Sequence, residues 1–301
     1  MHKIKKDFKK KDEEKKTNMI MVQGCRSNSG KSTIATSLCK IYAEEGLKVS
    51  PFKGWNMGSN SHKTDCGGEI GVAQAVQARA AGTNPRVDMQ PLLVKPAQDG
   101  KTELLVKGKT YLKKESINKE SYLDLGMKTI KDSITKLKKD YELLVLEGSG
   151  SPVEINVKDK DLANMQTALL NNTPVILAAD IKRGGVFASI IGTMELLEPE
   201  ERDLIKGFII NKFHGDKSTL KSGIDYIEER TGKPVLGILP YIEDINLPEE
   251  DTISLTKEET DKLELGQNFA VNKKLNKDYN KLVDVFKKNI NMEKLNEIIF
   301  N

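Results

Sequence analysis

The stretch Gly24-Cys-Arg-Ser-Asn-Ser-Gly30-Lys31-Ser32 constrains this 301-residue chain more than any other feature. It follows the apolar run MIMVQG and precedes STIATSLCKIYAEEG, where Ile34, Leu38 and Ile41 recur at helical spacing before Gly46. Strand, glycine-containing loop and helix in that order make a phosphate-binding loop. Backbone N–H groups close around phosphate oxygens, Lys31 reaches the β/γ-phosphates as a point charge, and the Ser32 hydroxyl can ligate Mg²⁺. Gly24, Ser27, Asn28, Ser29, Gly30, Lys31, Ser32 and Thr33 are the expected nucleotide contacts.

Further short apolar runs, LKVSPFK, YELLVLEG, TPVILAAD, IKGFIINK and PVLGILPY, alternate with helical patterns in GEIGVAQAVQARAAG, GVFASIIGTMELL and STLKSGIDYIEER. Strands that are apolar throughout and alternate with helices predict an α/β P-loop NTPase fold, a mostly parallel sheet with helices on both faces. Ligands in such sheets bind beyond the carboxyl ends of the strands. Residues 97–120 interrupt the rhythm, with TELLVKGKTYL reading as a polar hairpin before a Lys-rich helix near 124–140. The chain then divides into a Lys-rich disordered tail (1–18), a P-loop domain (19–253) and a charged helical appendage (254–301). With few large apolar residues, the last is expected to lie at the periphery.

Charge adds little. The formal net charge of +4 equals the excess of eight lysines over four acids in the first eighteen residues, so the remainder is neutral and a nucleic-acid partner is not expected. Three cysteines without a spaced Cys/His cluster give neither a disulfide framework nor a zinc site. No apolar run approaches the ~18 residues of a spanning helix, and the N-terminal region carries charge without the apolar core of a signal peptide. A cytoplasmic enzyme with no membrane partner is the expectation.

A P-loop needs an acid at the end of a neighbouring strand, and Glu147 directly follows the apolar run of YELLVLEGSGSP. Glu69, in GGEIGVAQ, is expected to open a helix whose N-terminal dipole favours an anion. Asn211 closes the run in FIINKFHGD, where a side-chain amide can read an adenine edge. His214 reads as a surface or satisfied polar residue, and no Ser/His/Asp or Cys/His triad can be assembled.

Five residues separate Gly24 from Gly30, where the common loop has four; this longer loop resembles dethiobiotin synthetase and the cobyrinic and cobyric acid amide synthases. PFKGWNMGSNS, GGEIGVAQAVQARAAG, VDMQPLLVKP, LEGSGSPVEIN, DLANM, DIKRGGVFAS, GFIINKFHGD and VLGILPYIEDINLPEED follow in order, and the chain from about Met19 to about Asp251 resembles the synthetase half of the cobyric acid synthases. That resemblance implies ATP- and Mg²⁺-dependent amidation of the b, d, e and g carboxylates of adenosylcobyrinic acid a,c-diamide, through an acyl phosphate. It implies catalytic roles for Lys31, Lys53 and Glu147, metal ligation by Ser32, Glu69 and Glu147, and adenine recognition by Asn211. Asn56, Asn60, Lys95 and Asn164 become candidates for corrinoid contact.

The sequence departs from the family where Gly54-Trp55 replaces the common Ala-Gln, where Lys182 replaces an acid, and around Cys66. Full-length relatives continue into a glutamine amidotransferase domain, whereas no cysteine follows Cys66 here. Ammonia is therefore expected from a separate class I glutamine amidotransferase subunit or from free ammonium, or else the chain is an inactive corrinoid-binding remnant. A homodimer is a further partner to consider. The runner-up is a nucleotide-switched partition-type ATPase, whose loop has a signature lysine followed by two glycines; Arg26 stands at that position, but Ser27 and Asn28 follow it.

Overall fold

Apolar runs and helical patterns alternate along the chain in the computed structural model, which describes residues 17–96, 102–113, 119–243, 245 and 269–301. The first part runs β1 (Asn18–Gly24), α1 (Lys31–Glu44), β2 (Val49–Phe52), β3 (Trp55–Met57), β4 (Ser61–Lys63), β5 (Glu69–Gly71), α2 (Val72–Ala80), β6 (Leu92–Pro96), β7 (Thr102–Val106) and β8 (Lys109–Lys113). Next come α3 (Lys119–Asp140), β9 (Leu143–Glu147), α4 (Met165–Leu170), β10 (Val175–Asp180), α5 (Val186–Leu196), α6 (Pro199–Leu204), β11 (Ile205–Phe213), α7 (Lys221–Thr231), β12 (Val235–Pro240), α8 (Phe269–Asn289) and α9 (Met292–Phe300).

Six strands make one sheet in the order β12-β11-β10-β1-β9-β2, every pair parallel. Alternation along β1 sorts the two faces. Met19 and Met21 join a core with Ile130, Ile134 and Leu137 of α3 and Ile190 of α5; Ile20 and Val22 join another with Ile34, Leu38 and Ile41 of α1 and Val72 of α2. The expected α/β fold with both faces covered is what forms. A second sheet, β3-β6-β7-β8, contains the expected hairpin as β7 and β8, and β3 and β6 run parallel within it.

The C-terminal segment departs from the expected peripheral appendage. Tyr279, Val283, Phe286, Ile290, Leu295 and Ile299 are buried in the same core as α1. A Cβ on Gly237 of β12 would lie 2.1 Å from the Asn289 carbonyl, and Asn291 donates its N–H to the Leu236 carbonyl at 2.8 Å. Helical spacing gathers the few apolar residues of this lysine-rich segment onto one stripe, so sparse composition conceals a buried face. Residues 1–16 of the expected tail and 254–268 of the expected appendage lie outside the described residues. Thr17 and Asn18 belong to the fold: the Thr17 hydroxyl faces the Lys138 and Tyr141 carbonyls at 2.9 and 3.0 Å, and Asn18 opens β1. Among the described residues no helix is long and apolar enough to cross a membrane.

Candidate functional site

Between β1 and α1 the chain turns through Asn28 (φ 58°) and Gly30 (φ 92°). A Cβ on Gly30 would lie 1.9 Å from Asn211 Nδ2, so left-handed backbone and close approach together demand glycine. Asn211 Nδ2 donates to the Ser29 carbonyl at 2.9 Å, and its Oδ1 accepts the Lys212 N–H at 2.8 Å. Lys31 Nζ donates to the Gly150 carbonyl at 3.0 Å and the Arg26 carbonyl at 3.3 Å, bridging the P-loop to the loop after β9. A cavity of about 360 Å³ opens here, walled by Ser27, Asn28, Gly30, Lys31, Ser32 and Thr33 on one side and by Glu147, Ser149 and Gly150 on the other. The N-terminal end of α1 borders this space, and the first turn of a helix favours an anion.

Glu147 is the last residue of β9 and sits in register beside Val22 of β1. Its Oε1 accepts from the Ser32 hydroxyl at 2.8 Å and from Lys53 Nζ at 3.3 Å, and its Oε2 accepts from Gln77 Nε2 at 2.5 Å. The side chains of Lys53 and Glu147 are 0 % and 1 % exposed. Burial alone would push the Glu147 carboxyl up, but the Lys53 ammonium, the Gln77 and Ser32 hydrogen bonds and the charge of Lys31 hold it below the usual carboxylate range. One carboxylate between two ammonium groups leaves a positive excess where phosphate oxygens would enter.

Residues 20–255, which carry the P-loop, Glu147 and all but the start of the parallel sheet, match the CobQ/CobB/MinD/ParA nucleotide binding domain. The chain belongs to that family. Within it, the sequence is 48% identical over 237 residues to the cobyric acid synthase of Desulforamulus reducens, covering 78% of this chain and 46% of the relative. It is 47% identical over 255 residues to the cobyric acid synthase of Nostoc punctiforme, covering 84% and 51%. The chain thus spans about half the length of the curated relatives it matches. A solved structure of the signal recognition particle receptor FtsY from Elizabethkingia anophelis overlays on 88% of this chain and 66% of its own, with 15% identity and a TM-score of 0.41.

In this CobQ/CobB/MinD/ParA domain the remaining candidates fall into separate groups. A cavity of about 260 Å³ adjoins Asn211 and Lys212, closed by Thr33, Thr36, Pro240 and Tyr241. Glu69 does not open a helix. It begins β5, which pairs with β4, and α2 starts only at Val72, because β4 and the Gln90 side chain, which accepts the Gly71 N–H, hold this segment extended. The Glu69 carboxylate faces Lys95 Nζ and the Ser61 hydroxyl, both at 2.7 Å, and does not line the P-loop cavity. Lys95 and Glu69 therefore stand together, Asn60 lies in the loop before β4, and Asn56 is buried beside Gly71. Asn164 instead ties down the loop after β9: its Oδ1 accepts the Ser149 N–H at 3.0 Å and its Nδ2 donates to the Ser149 carbonyl at 2.8 Å.

Sequence reading missed Gln77 and the charge group beside Asn211. Gln74 and Gln77, both fully buried on α2, were visible as two amides on an otherwise apolar helical face. Lys212 Nζ donates to the Asn28 carbonyl at 2.5 Å and lies 3.6 Å from Asp180, while Arg26 lies 3.5 Å from the same carboxylate. These cations come from separate strands and loops, so no local pattern announced their meeting. His214 stacks on Tyr241 with ring centroids 5.0 Å apart.

Proposed function

We propose that this chain performs the amide-synthetase part of cobyric acid synthesis, amidating the b, d, e and g carboxylates of adenosylcobyrinic acid a,c-diamide with ATP, Mg²⁺ and ammonia. The observation that carries the reading is the convergence of Ser32 at 2.8 Å and Lys53 at 3.3 Å on one oxygen of Glu147, at the mouth of the P-loop, in a chain 48% identical to a named cobyric acid synthase.

The residues suit both groups. Turned backbone N–H donors, Lys31 and the start of α1 suit a polyphosphate, and a hydroxyl beside an ionised carboxylate supplies hard oxygens for Mg²⁺, which takes few protein ligands when phosphate provides the rest. Bound there, Mg²⁺ would neutralise phosphate charge. A substrate carboxylate attacks the γ-phosphorus and ADP departs; ammonia then attacks the acyl carbon, phosphate leaves, and a nitrogen proton is lost. Lys31 and Lys53 stabilise the charge that develops on the transferred group. Ser32 and Glu147 would hold the metal, and Glu69 would join them only on leaving Lys95. Asn211 keeps one donor and one acceptor site for adenine after supporting the loop. Of the corrinoid candidates, Asn164 shapes the acceptor side by holding the loop after β9, while Asn56, Asn60 and Lys95 belong to the separate group around β4 and β5.

For nitrogen, these residues use ammonium directly or receive ammonia from a separate class I amidotransferase subunit, and the work is done in the cytoplasm. Arg26 paired with Asp180 of its own chain gives the partition-type reading no support. The test is phosphate release: it should require the corrinoid and ammonium together. Release that ignores both and responds only to DNA, a membrane or a protein partner would reject the proposal.

A further inference from the structure

Behind the loop that carries Ser149 and Gly150 lies a second cavity of about 350 Å³. The same two residues wall the P-loop cavity on its other side, so the two spaces meet at one turn of chain. Asn164 holds that turn by pairing with both backbone groups of Ser149, and a Cβ on Gly148 would lie 2.2 Å from Asn164 Oδ1. Lys31 Nζ rests on the Gly150 carbonyl at 3.0 Å. Lys31 lines the P-loop cavity and thereby touches the turn that the two cavities share.

The cavity walls include Trp55, Tyr122, Pro152, Val157, Leu162 and Ala163. Trp55 Nε1 donates to the Tyr122 hydroxyl at 2.6 Å, so the two rings satisfy each other's polar ends and offer the cavity apolar surface. Val157 is 41% exposed and Ile155, on the same turn, 67%, leaving large apolar side chains in water next to the mouth. Lys158 and Lys160 also line the cavity, together with Glu154 and Asp161, and Lys158 is paired with Glu198 at 3.0 Å and Glu201 at 3.2 Å. Trp55 owes its place to Gly54, where a Cβ would come within 3.0 Å of both Ile130 and Thr167. The apolar wall of Trp55, Tyr122, Val157 and Leu162 fits one edge of a broad apolar body.

We propose that this cavity is the acceptor site, gripping one edge of the carboxylate-bearing macrocycle against Trp55, and that Trp55 sets which macrocycle is accepted. The inference rests on the amide-synthetase reading above. Trp55 is the sole tryptophan of the chain, so the emission originates at this wall, and the Val157→Asp variant distinguishes binding here from quenching at a distance. Titrating the full chain with cobyrinic acid a,c-diamide should quench that emission saturably, beyond the inner-filter loss seen with free tryptophan amide, at a midpoint matching the KM for amidation. Trp55→Ala and Val157→Asp should each raise that KM about tenfold, with kcat within about threefold and ATP binding unchanged. Val157 is exposed, so its variant tests the site even if Trp55→Ala fails to fold. Amidation with flat fluorescence and an unmoved KM in Val157→Asp overturns the acceptor site and leaves the amidation reading intact. Saturable quenching without amidation keeps the cavity as a macrocycle site and removes the reaction assigned to it. Neither quenching nor amidation sinks both.

Discussion

Lys31 and Glu147 occupy opposite walls of one small space, and their substitutions should fail in different ways. Lys31→Ala removes a point charge from the β/γ-phosphates, and ATP turnover should fall on the order of 10²-fold or more. Turnover within a few-fold of wild type would reject the phosphate site. Glu147→Gln should weaken the Mg²⁺ dependence and also destabilise the fold by about 3–5 kcal/mol, because it removes the carboxylate charge from a buried ion pair with Lys53. Lys53→Met combined with Glu147→Gln should recover much of that stability in urea unfolding but none of the activity. Equal stability of the two Glu147 variants would contradict the pairing. The folded carboxyl is held below its unfolded value, so the stabilisation is whole above the ordinary glutamate range and fades as pH falls through the depressed value; Glu147→Gln should lack that part of the acid sensitivity. At this scale the placement of Lys31, Ser32 and Glu147 around one cavity was legible in the sequence, because it follows from position in strand-loop-helix units. The sequence did not reveal Gln77, whose partner lies seventy residues away, or the turn of Glu69 toward Lys95. Those depend on how separate segments meet.

Two elements show why periodicity reads more reliably than composition. The six parallel strands and α1 stood out because each is an unbroken apolar run or a clear helical repeat. The C-terminal pair α8 and α9 looked peripheral because lysines dominate the count, although the stripe of Tyr279, Val283 and Phe286 was present in the spacing. Phe286 is 1% exposed, and Phe286→Ala should cost about 3–5 kcal/mol in chemical unfolding. A loss below about 0.5 kcal/mol, the range of surface substitutions, would restore the appendage view. In the P-loop, Gly30→Ala faces both a φ of 92° and the Asn211 amide, so nucleotide affinity should collapse while the far end of the sheet stays folded. Calorimetric titration with ATP distinguishes that from general unfolding.

In the whole molecule the P-loop cavity and a second, apolar cavity share the Ser149–Gly150 turn, and the proposed reaction still needs a source of nitrogen. None of the three thiols suits glutamine hydrolysis. Burial pushes the Cys25 thiol up to about 11 and raises that of the fully buried Cys39 further, while Cys66, lowered by its hydrogen bond to Thr64, sits on an exposed turn away from any strand-to-helix elbow. The 301 residues should therefore amidate with ammonium and not with glutamine, and the rate with ammonium should rise with pH as more neutral ammonia becomes available. Glutamine-supported amidation surviving substitution of all three cysteines would contradict this. The most direct test of the central claim is mass spectrometry of cobyrinic acid a,c-diamide incubated with the chain, ATP, Mg²⁺ and nitrogen-15 ammonium. The account predicts stepwise labelled carboxamides, each accompanied by one ADP and one phosphate and lost in Lys31→Ala; an unlabelled, unchanged corrinoid in the presence of active ATP turnover would contradict it.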